Sequence, residues 1–295
     1  MENIYKVDYI ERKNYKKYIF SDEQKELIKK LYQDGNSTVS IGKLFNVSHK
    51  TIARMLESLG ISRTGVGKRQ YKLNEHYFDK IDTPNKAYIL GFLYADGCNY
   101  SKKGTISMSL AEGDKDILER IRLEVDSEKE LEFIDYSDKH DFGYNYKNQY
   151  RLLFFSAHMC DVLEKHGMTP CKSLSISFPD INEDLIRHFV RGMFDGDGSI
   201  YRHLKNGYTI TITSTNGFCL SLQNIIKTKL NINCSIYDAQ NHNGVTKVFT
   251  ISGRVQTKKF LDWIYYDAEM FLERKYKRYI QYYYSDFNIN NSLSA

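Results

Sequence analysis

The sequence lacks any run of eighteen apolar residues, so no membrane-spanning helix is expected. It lacks a C-x-x-C pair: Cys98, Cys160, Cys171, Cys219 and Cys234 are scattered. That spacing argues against a zinc ribbon or a disulfide framework and fits reduced thiols in a cytoplasmic protein. A charged, tyrosine-rich N-terminus argues against a signal peptide. Proline is scarce, with three in 295 residues, beside abundant Lys, Asn, Ile and Tyr. That bias has the look of an AT-rich coding sequence and carries no mechanism. Finally, no acidic residue occurs between Glu57 and Glu75.

This last gap belongs to a wider asymmetry. Residues 1–75 hold 15 Lys and Arg against 9 Asp and Glu, whereas residues 76–295 hold 27 against 28. The excess positive charge lies at the front, which suggests a nucleic-acid-binding module there. Residues 1–20 form a basic arm, readable as flexible or as a short docking helix. Residues 21–60 read as three short helices in a small all-α module. Ser21 and Gln24 make a capping-box pattern ahead of Leu27, Ile28 and Leu31. Val39, Ile41, Leu44 and Phe45 fit a second helix. Ser48 caps a third, with Ile52, Met55, Leu56 and Leu59 inside and Gly60 as the stop. The tight Phe-Asn-Val-Ser turn between them is the pattern of a helix-turn-helix. It leaves His49, Lys50, Thr51 and Arg54 outward for base-edge and phosphate contacts. Residues 61–75 read as a basic linker whose Arg63, Lys68 and Arg69 could track phosphates.

The stretch Pro84–Asn99, PNKAYILGFLYADGCN, has a near copy at Asp184–Ser199, DLIRHFVRGMFDGDGS. In each, a glycine (Gly91, Gly192) precedes an acidic residue (Asp96, Asp197) by five positions, and a small residue (Ala95, Gly196) stands directly before the acid. Glycine inside a helix lowers its propensity. A seam of small residues compensates by letting two helix backbones approach closely, with Gly91 and Gly192 at the interface. Two carboxylates then meet at two helix C-termini, which already carry partial negative charge. They repel each other unless a cation sits between them, which argues for a divalent metal.

The acids are 101 residues apart, and their surroundings repeat. Thr105, Ser107 and Ser109 alternate with apolar residues, as do Thr209, Thr211 and Thr213. Period two gives each strand an apolar face and a hydroxyl face, and the hydroxyl faces, with Tyr208, could contact DNA. Helices are expected near 114–126, 157–166, 215–230 and 254–265, and further strands at 130–136, 149–156, 233–238 and 246–252. Each half thus reads αββαββα, over 76–180 and 181–285, with residues 286–295 as a tail. Lys172 and Lys275 repeat at a spacing of 103. One Asp and one Lys per half suits phosphodiester hydrolysis: carboxylates hold a metal that activates water, and a lysine stabilises developing charge.

ILGFLYADG and VRGMFDGDG resemble the two motifs of a double-motif LAGLIDADG homing endonuclease, here with a helix-turn-helix in front. The resemblance implies an α+β fold of two pseudo-symmetric halves packed through paired motif helices. It implies Asp96 and Asp197, with Ala95 and Gly196, as the metal-holding positions, Mg²⁺ as the usual ion with Mn²⁺ as a substitute, and Lys172 and Lys275 as the flanking basic residues. It also implies double-stranded DNA with a long specific site as the partner, a monomer, and cleavage of both strands leaving short 3′ overhangs. Departures are Tyr94 at the sixth motif position, where the second half has Asp195, and Arg191 where a small residue is usual, read as facing solvent or DNA. Arg274 and Lys277 flank Lys275 and leave its role open. The chain starts with Met and ends NNSLSA, so an intein is not expected. Two other functions fit the same sequence: a regulator that kept the fold and lost cleavage, and an intron RNA maturase.

Overall fold

The computed structural model describes residues 4–12, 15–34, 36–61, 71–137, 140–141, 144–172, 175–203, 207–239 and 246–283. Arg63, Lys68 and Arg69, and the tail at 286–295, lie outside these described residues. The chain divides into two compact units between residues 71 and 72.

The first unit opens with an antiparallel hairpin, β1 (Asp8–Arg12) and β2 (Tyr15–Ile19), in which Asp8 pairs with Ile19. Neither a flexible arm nor a docking helix forms here, and the module is not all-α. Helices α1 (Asp22–Gln33), α2 (Thr38–Leu44) and α3 (His49–Ser58) follow. The Ser21–Gln24 capping box is complete, and Ser37 and Ser48 cap the next two helices. Phe20, Ile28, Ile41, Phe45, Ile52 and Leu56 form the core. Leu59, expected inside, is exposed at the C-cap just past α3, and on α2 Val39 and Leu44 are exposed because seven residues of helix bury only one stripe. Gly60 ends the third helix in the left-handed region, φ 70°.

In the second unit, α4 (Pro84–Asp96) runs directly into β3 (Gly97–Tyr100), followed by β4 (Thr105–Ala111), α5 (Lys115–Glu124) and β5 (Glu132–Ile134). A short hairpin, β6 (His140–Asp141) with β7 (Tyr144–Asn145), precedes β8 (Gln149–Phe155) and α6 (Ala157–Lys165). Then α7 (Ile186–Asp197) runs directly into β9 (Gly198–His203), followed by β10 (Gly207–Thr215), α8 (Asn216–Leu230), β11 (Ser235–Asp238), β12 (Thr246–Ser252) and α9 (Arg254–Tyr265). A final helix, α10 (Glu273–Tyr283), is not among the elements expected from the sequence.

The unit is α+β with antiparallel sheets. One has the order β3-β4-β8-β5 and the other β9-β10-β12-β11, so the connectivity is the same. Helices α5 and α6 pack on the first sheet, and α8 and α9 on the second. The buried faces are apolar: Ile106, Met108 and Leu110 on β4, Ile210 and Ile212 on β10. Tyr208 shares the parity of Ile210 and is buried with it, so it does not belong to the hydroxyl face.

Helices α4 and α7 pack against each other along their length. Residues Ala87 to Tyr94 are all buried, as expected of a helix apolar on every side. A Cβ at Gly91 would overlap the carbonyl oxygen of Phe189, and one at Gly192 would overlap that of Tyr88. The two helix backbones are therefore in direct contact, which only glycine at these positions permits.

Candidate active site and nucleic-acid interface

The site begins where both helices stop. Gly97 and Gly198 cap α4 and α7 in extended conformation, ψ 152° and 151°, and turn the chain at once into a strand. A side chain at either would run into the carbonyl of Leu93 or Phe194. Asp96 and Asp197 thus lie on the last turn of each helix, side by side at one end of the pair. Gly196 stands beside the Asp96 carboxylate, where a larger residue would collide with Asp96 and Ala95.

Solvent reaches both carboxylates, yet the surrounding protein desolvates them. Burial, and then the neighbouring Asp197, push Asp96 up to about 6, while Lys275 and Lys172 pull it back. Burial also raises Asp197, opposed by Lys172 and Lys275. Among the described residues, neither carboxylate accepts a hydrogen bond or joins an ion pair.

The two lysines converge on this end of the helices and differ in how they are held. Lys172 is buried, and its Nζ donates to the Ala95 carbonyl at 3.2 Å. Lys275 is buried on the first turn of α10, and its Nζ donates to the carbonyls of Phe194 at 2.6 Å, Gly196 at 3.0 Å and Gly198 at 2.6 Å. Each ammonium meets the partial negative charge of a helix C-terminus. An ammonium has three N–H donors, so Lys275 is saturated. Burial lowers the pKa of both lysines, that of Lys275 to about 8. Arg274 pairs with Asp114 at 2.9 Å and Lys277 with Glu273 at 3.3 Å, and of the three it is Lys275 that hydrogen-bonds the helix end.

The sixth motif positions fasten the lysine-bearing segments. Asp195 is fully buried and accepts from Tyr88 Oη at 2.9 Å, Tyr265 Oη at 2.6 Å and the Leu272 N–H at 2.7 Å. It ties α7 to α4, to α9 and to the entry of α10. Burial raises its pKa against those three bonds. In the first half, Tyr94 Oη donates instead to the carbonyl of His166, at the end of α6, and the adjacent Gly167, φ 94°, leaves room for the ring. Asn99 adds bonds to Cys160 and Met168 carbonyls, 3.0 Å each. A tyrosine and an aspartate thus do comparable work with different reach.

Arg191 does not face solvent or DNA. It is 1% exposed, donates to the carbonyls of Met270 and Ile264 at 2.9 Å each, and meets His188 Nδ1 at 2.9 Å. Its guanidinium lies 5.1 Å from the Tyr88 ring. The buried carbonyl groups and ring take the place of water around the charge.

Thr105, Ser107 and Ser109 lie half-buried on one face of β4, and on β10 Thr211 is half-buried and Thr213 exposed on the equivalent face. Thr209 is a correction: it is 4% exposed and its hydroxyl lies 3.3 Å from that of Ser252, so it is not available to a large ligand. In the first unit His49, Lys50 and Arg54 are exposed on α3, while Thr51 is half-buried and its hydroxyl lies 2.9 Å from that of the cap Ser48. Beside α3, a hollow of about 610 Å³ is lined by Lys16, Lys17, Lys25, Arg54 and Ser58 among others. Gly42, which no sequence pattern singles out, lets α2 approach the turn before α3: a side chain there would press on the Val47 carbonyl.

Residues 184–265 match the family model described as a LAGLIDADG-like domain. No curated protein matches the chain. Solved structures that are similar include meganuclease I-SmaMI bound to uncleavable DNA, at 13% identity over 70% of this chain and 91% of that one, TM-score 0.44. Full-length DUF199/WhiA from Thermatoga maritima is similar at 17% identity over 75% of this chain and 71% of that one, TM-score 0.44. A variant of I-DmoI, in complex with nicked target DNA in the presence of manganese, is similar at 14% identity over 67% of this chain and 99% of that one, TM-score 0.41.

Proposed function

We propose that residues 72–283 form a double-motif LAGLIDADG endonuclease of two pseudo-symmetric halves, which makes a metal-dependent double-strand break in DNA. The observation that carries this is the pair of solvent-reached carboxylates, Asp96 and Asp197, at the joined ends of α4 and α7, without a hydrogen-bond partner among the described residues, each half supplying one buried lysine. The charge of Asp197 raises the pKa of Asp96 even against the two lysines, and a divalent cation between the carboxylates would relieve that repulsion. All-oxygen donors favour hard divalent ions, Mg²⁺ first and Mn²⁺ as a substitute. Asp96 and Asp197 would hold the ion, joined by the second lone pairs of the Ala95 and Gly196 carbonyls, which each take one lysine N–H on the first.

A bound divalent ion supplies Lewis acidity and activated water for phosphodiester hydrolysis. The chain's own contribution is placement. Asp96 and Asp197 are fixed by two helices whose backbones touch, so their spacing does not depend on flexible loops. Among the described residues Lys172 donates to one carbonyl, which leaves two N–H donors for a phosphate oxygen. It is the better placed of the two to offset charge that develops during cleavage. Lys275, saturated by three carbonyls, chiefly holds the backbone of the second motif in shape. The hydroxyl faces of β4 and β10 would lie along the duplex, with Thr105, Ser107, Ser109, Thr211 and Thr213 as contacts. The first unit would act as a helix-turn-helix, with His49, Lys50 and Arg54 at base edges and phosphates. Arg63, Lys68 and Arg69 would add backbone contacts. Linking two DNA-binding units raises affinity through effective concentration. With both motifs in one chain, a monomer acting on DNA in the cytoplasm suffices.

The test is Asp197→Ala. Cleavage should be abolished while DNA affinity stays within a few-fold of wild type. Full cleavage by this variant would overturn the site assignment. A specific site bound by the unaltered chain yet uncut with Mg²⁺ or Mn²⁺ would favour a regulator.

A further inference from the structure

A second cluster of ligand-type side chains lies away from the helix ends. His76 and Asp79 stand on the turn at residues 75–79, and His158 on the first turn of α6, about eighty residues later. His76 Nδ1 is 2.8 Å from one oxygen of Asp79, and His158 Nε2 is 2.6 Å from the other. The imidazole rings are packed with centroids 4.5 Å apart. One ligand atom from each of the three side chains lies within 4.8 Å of the other two.

The backbone beneath these groups is held independently of them. Tyr77 and Phe78 are buried and anchor the turn. The N-cap residue of α6, Ser156, donates its hydroxyl to Glu75 at 2.9 Å. At the other end of α6, His166 Nε2 meets the Phe78 carbonyl at 2.9 Å. The turn is therefore clamped to both ends of α6, and the three side chains project from prepositioned backbone, as a metal site requires.

We propose that His76, Asp79 and His158 bind a divalent transition ion of the zinc class, at a site separate from the Asp96–Asp197 centre. Two imidazoles and one carboxylate form a donor set that suits zinc, cobalt, nickel or ferrous iron and does not suit magnesium or calcium. Two imidazoles on one exposed carboxylate gain little as ion pairs in water. A shared metal engages both ring nitrogens and the carboxylate at once. Solvent access to all three groups leaves a coordination position for water. The ion fastens the segment that leads into α4 to α6, so its role is to brace the first half. The inference is independent of the endonuclease reading, because none of its residues touches the helix-end centre.

The experiment uses the full chain carrying Asp96→Asn and Asp197→Asn, so that the helix-end centre takes up no ion. Zinc bound after dialysis is measured, and Co²⁺ is titrated with visible absorption as the readout. One zinc per chain is expected, with a cobalt spectrum of nitrogen and oxygen ligation and no thiolate charge-transfer band. Thermal midpoint should rise by about 5–10 °C at a hundredfold excess of zinc over its dissociation constant. His76→Ala and His158→Ala, introduced separately, should each weaken zinc binding at least about 100-fold and abolish the thermal shift. Their thermal midpoints in chelator should match the parent, which shows that they fold. Unchanged zinc affinity in His158→Ala, a thiolate band, or no zinc retained by a folded parent would overturn the proposal.

Discussion

Lys172 and Lys275 occupy matching places and are held differently, so their replacement should separate catalysis from stability. Lys275→Met removes three hydrogen bonds, two of them buried, that hold the end of α7 to the start of α10, and should destabilise the chain by about 3 kcal/mol. Lys172→Met removes one such bond. It should cost about 1 kcal/mol or less in stability and slow cleavage by roughly 100-fold. Urea denaturation and single-turnover cleavage of both variants measure the contrast. His188 gives a second residue-scale prediction. Burial, then the Arg191 and Arg187 charges, lower its pKa to about 4, from an ordinary 6.5. The unfolded chain takes up a proton below 6.5 that the folded chain refuses until about 4. The stability held by neutral His188 is therefore fully present above pH 6.5 and is lost as pH falls toward 4. His188→Asn keeps an acceptor for Arg191 and does not titrate, so its urea midpoint should vary less over that window than wild type. Individual residues are the hardest to read from sequence. Nothing in AEMFLERKYKRY distinguishes Lys275 from Arg274 or Lys277, because the choice depends on which side chain reaches three carbonyls at the end of α7 and the start of β9. Burial of Arg191 and convergence of His158 on Asp79 likewise depend on distant partners.

Elements are more legible, where a local period coincides with burial. The alternation on β4 and β10 marks strands with one apolar face, and the Gly-to-Asp register marks α4 and α7. The glycine seam carries a direct prediction. Gly91→Ala would drive a Cβ into the Phe189 carbonyl and force two backbones apart. A destabilisation of about 3 kcal/mol or more is expected, with the thermal midpoint lowered by about 6–12 °C. An unchanged midpoint would contradict the close approach. The hairpin β1–β2 is hidden in the sequence because its strands offer no buried face to pattern: Tyr9, Ile10 and Ile19 are exposed among charged neighbours. Helix α10 is hidden because its charged residues obscure its period. At Tyr208 the hydroxyl suggests a polar surface, while strand parity places the ring inside.

At the scale of the whole molecule, charge and structure divide the chain at nearly the same place. The basic excess ends by residue 75, and the compact units part at residue 71. Deletion of residues 1–71 should leave a folded second unit that binds DNA more weakly. The slope of log affinity against log salt should flatten by about 0.9 for each phosphate that the deletion leaves unneutralised. An unchanged slope would argue that the first unit does not touch DNA.

Whether Asp96 and Asp197 form a metal-dependent DNA-cutting centre is decided by first selecting the bound site from a random duplex pool with the unaltered chain. That site is then incubated with Mg²⁺ or Mn²⁺ and either the unaltered chain or Asp197→Ala. Cuts in both strands with short 3′ overhangs are expected from the unaltered chain, and binding without cutting from Asp197→Ala. A tightly bound site that stays intact with both metals, or equal cutting by both proteins, would rule that centre out.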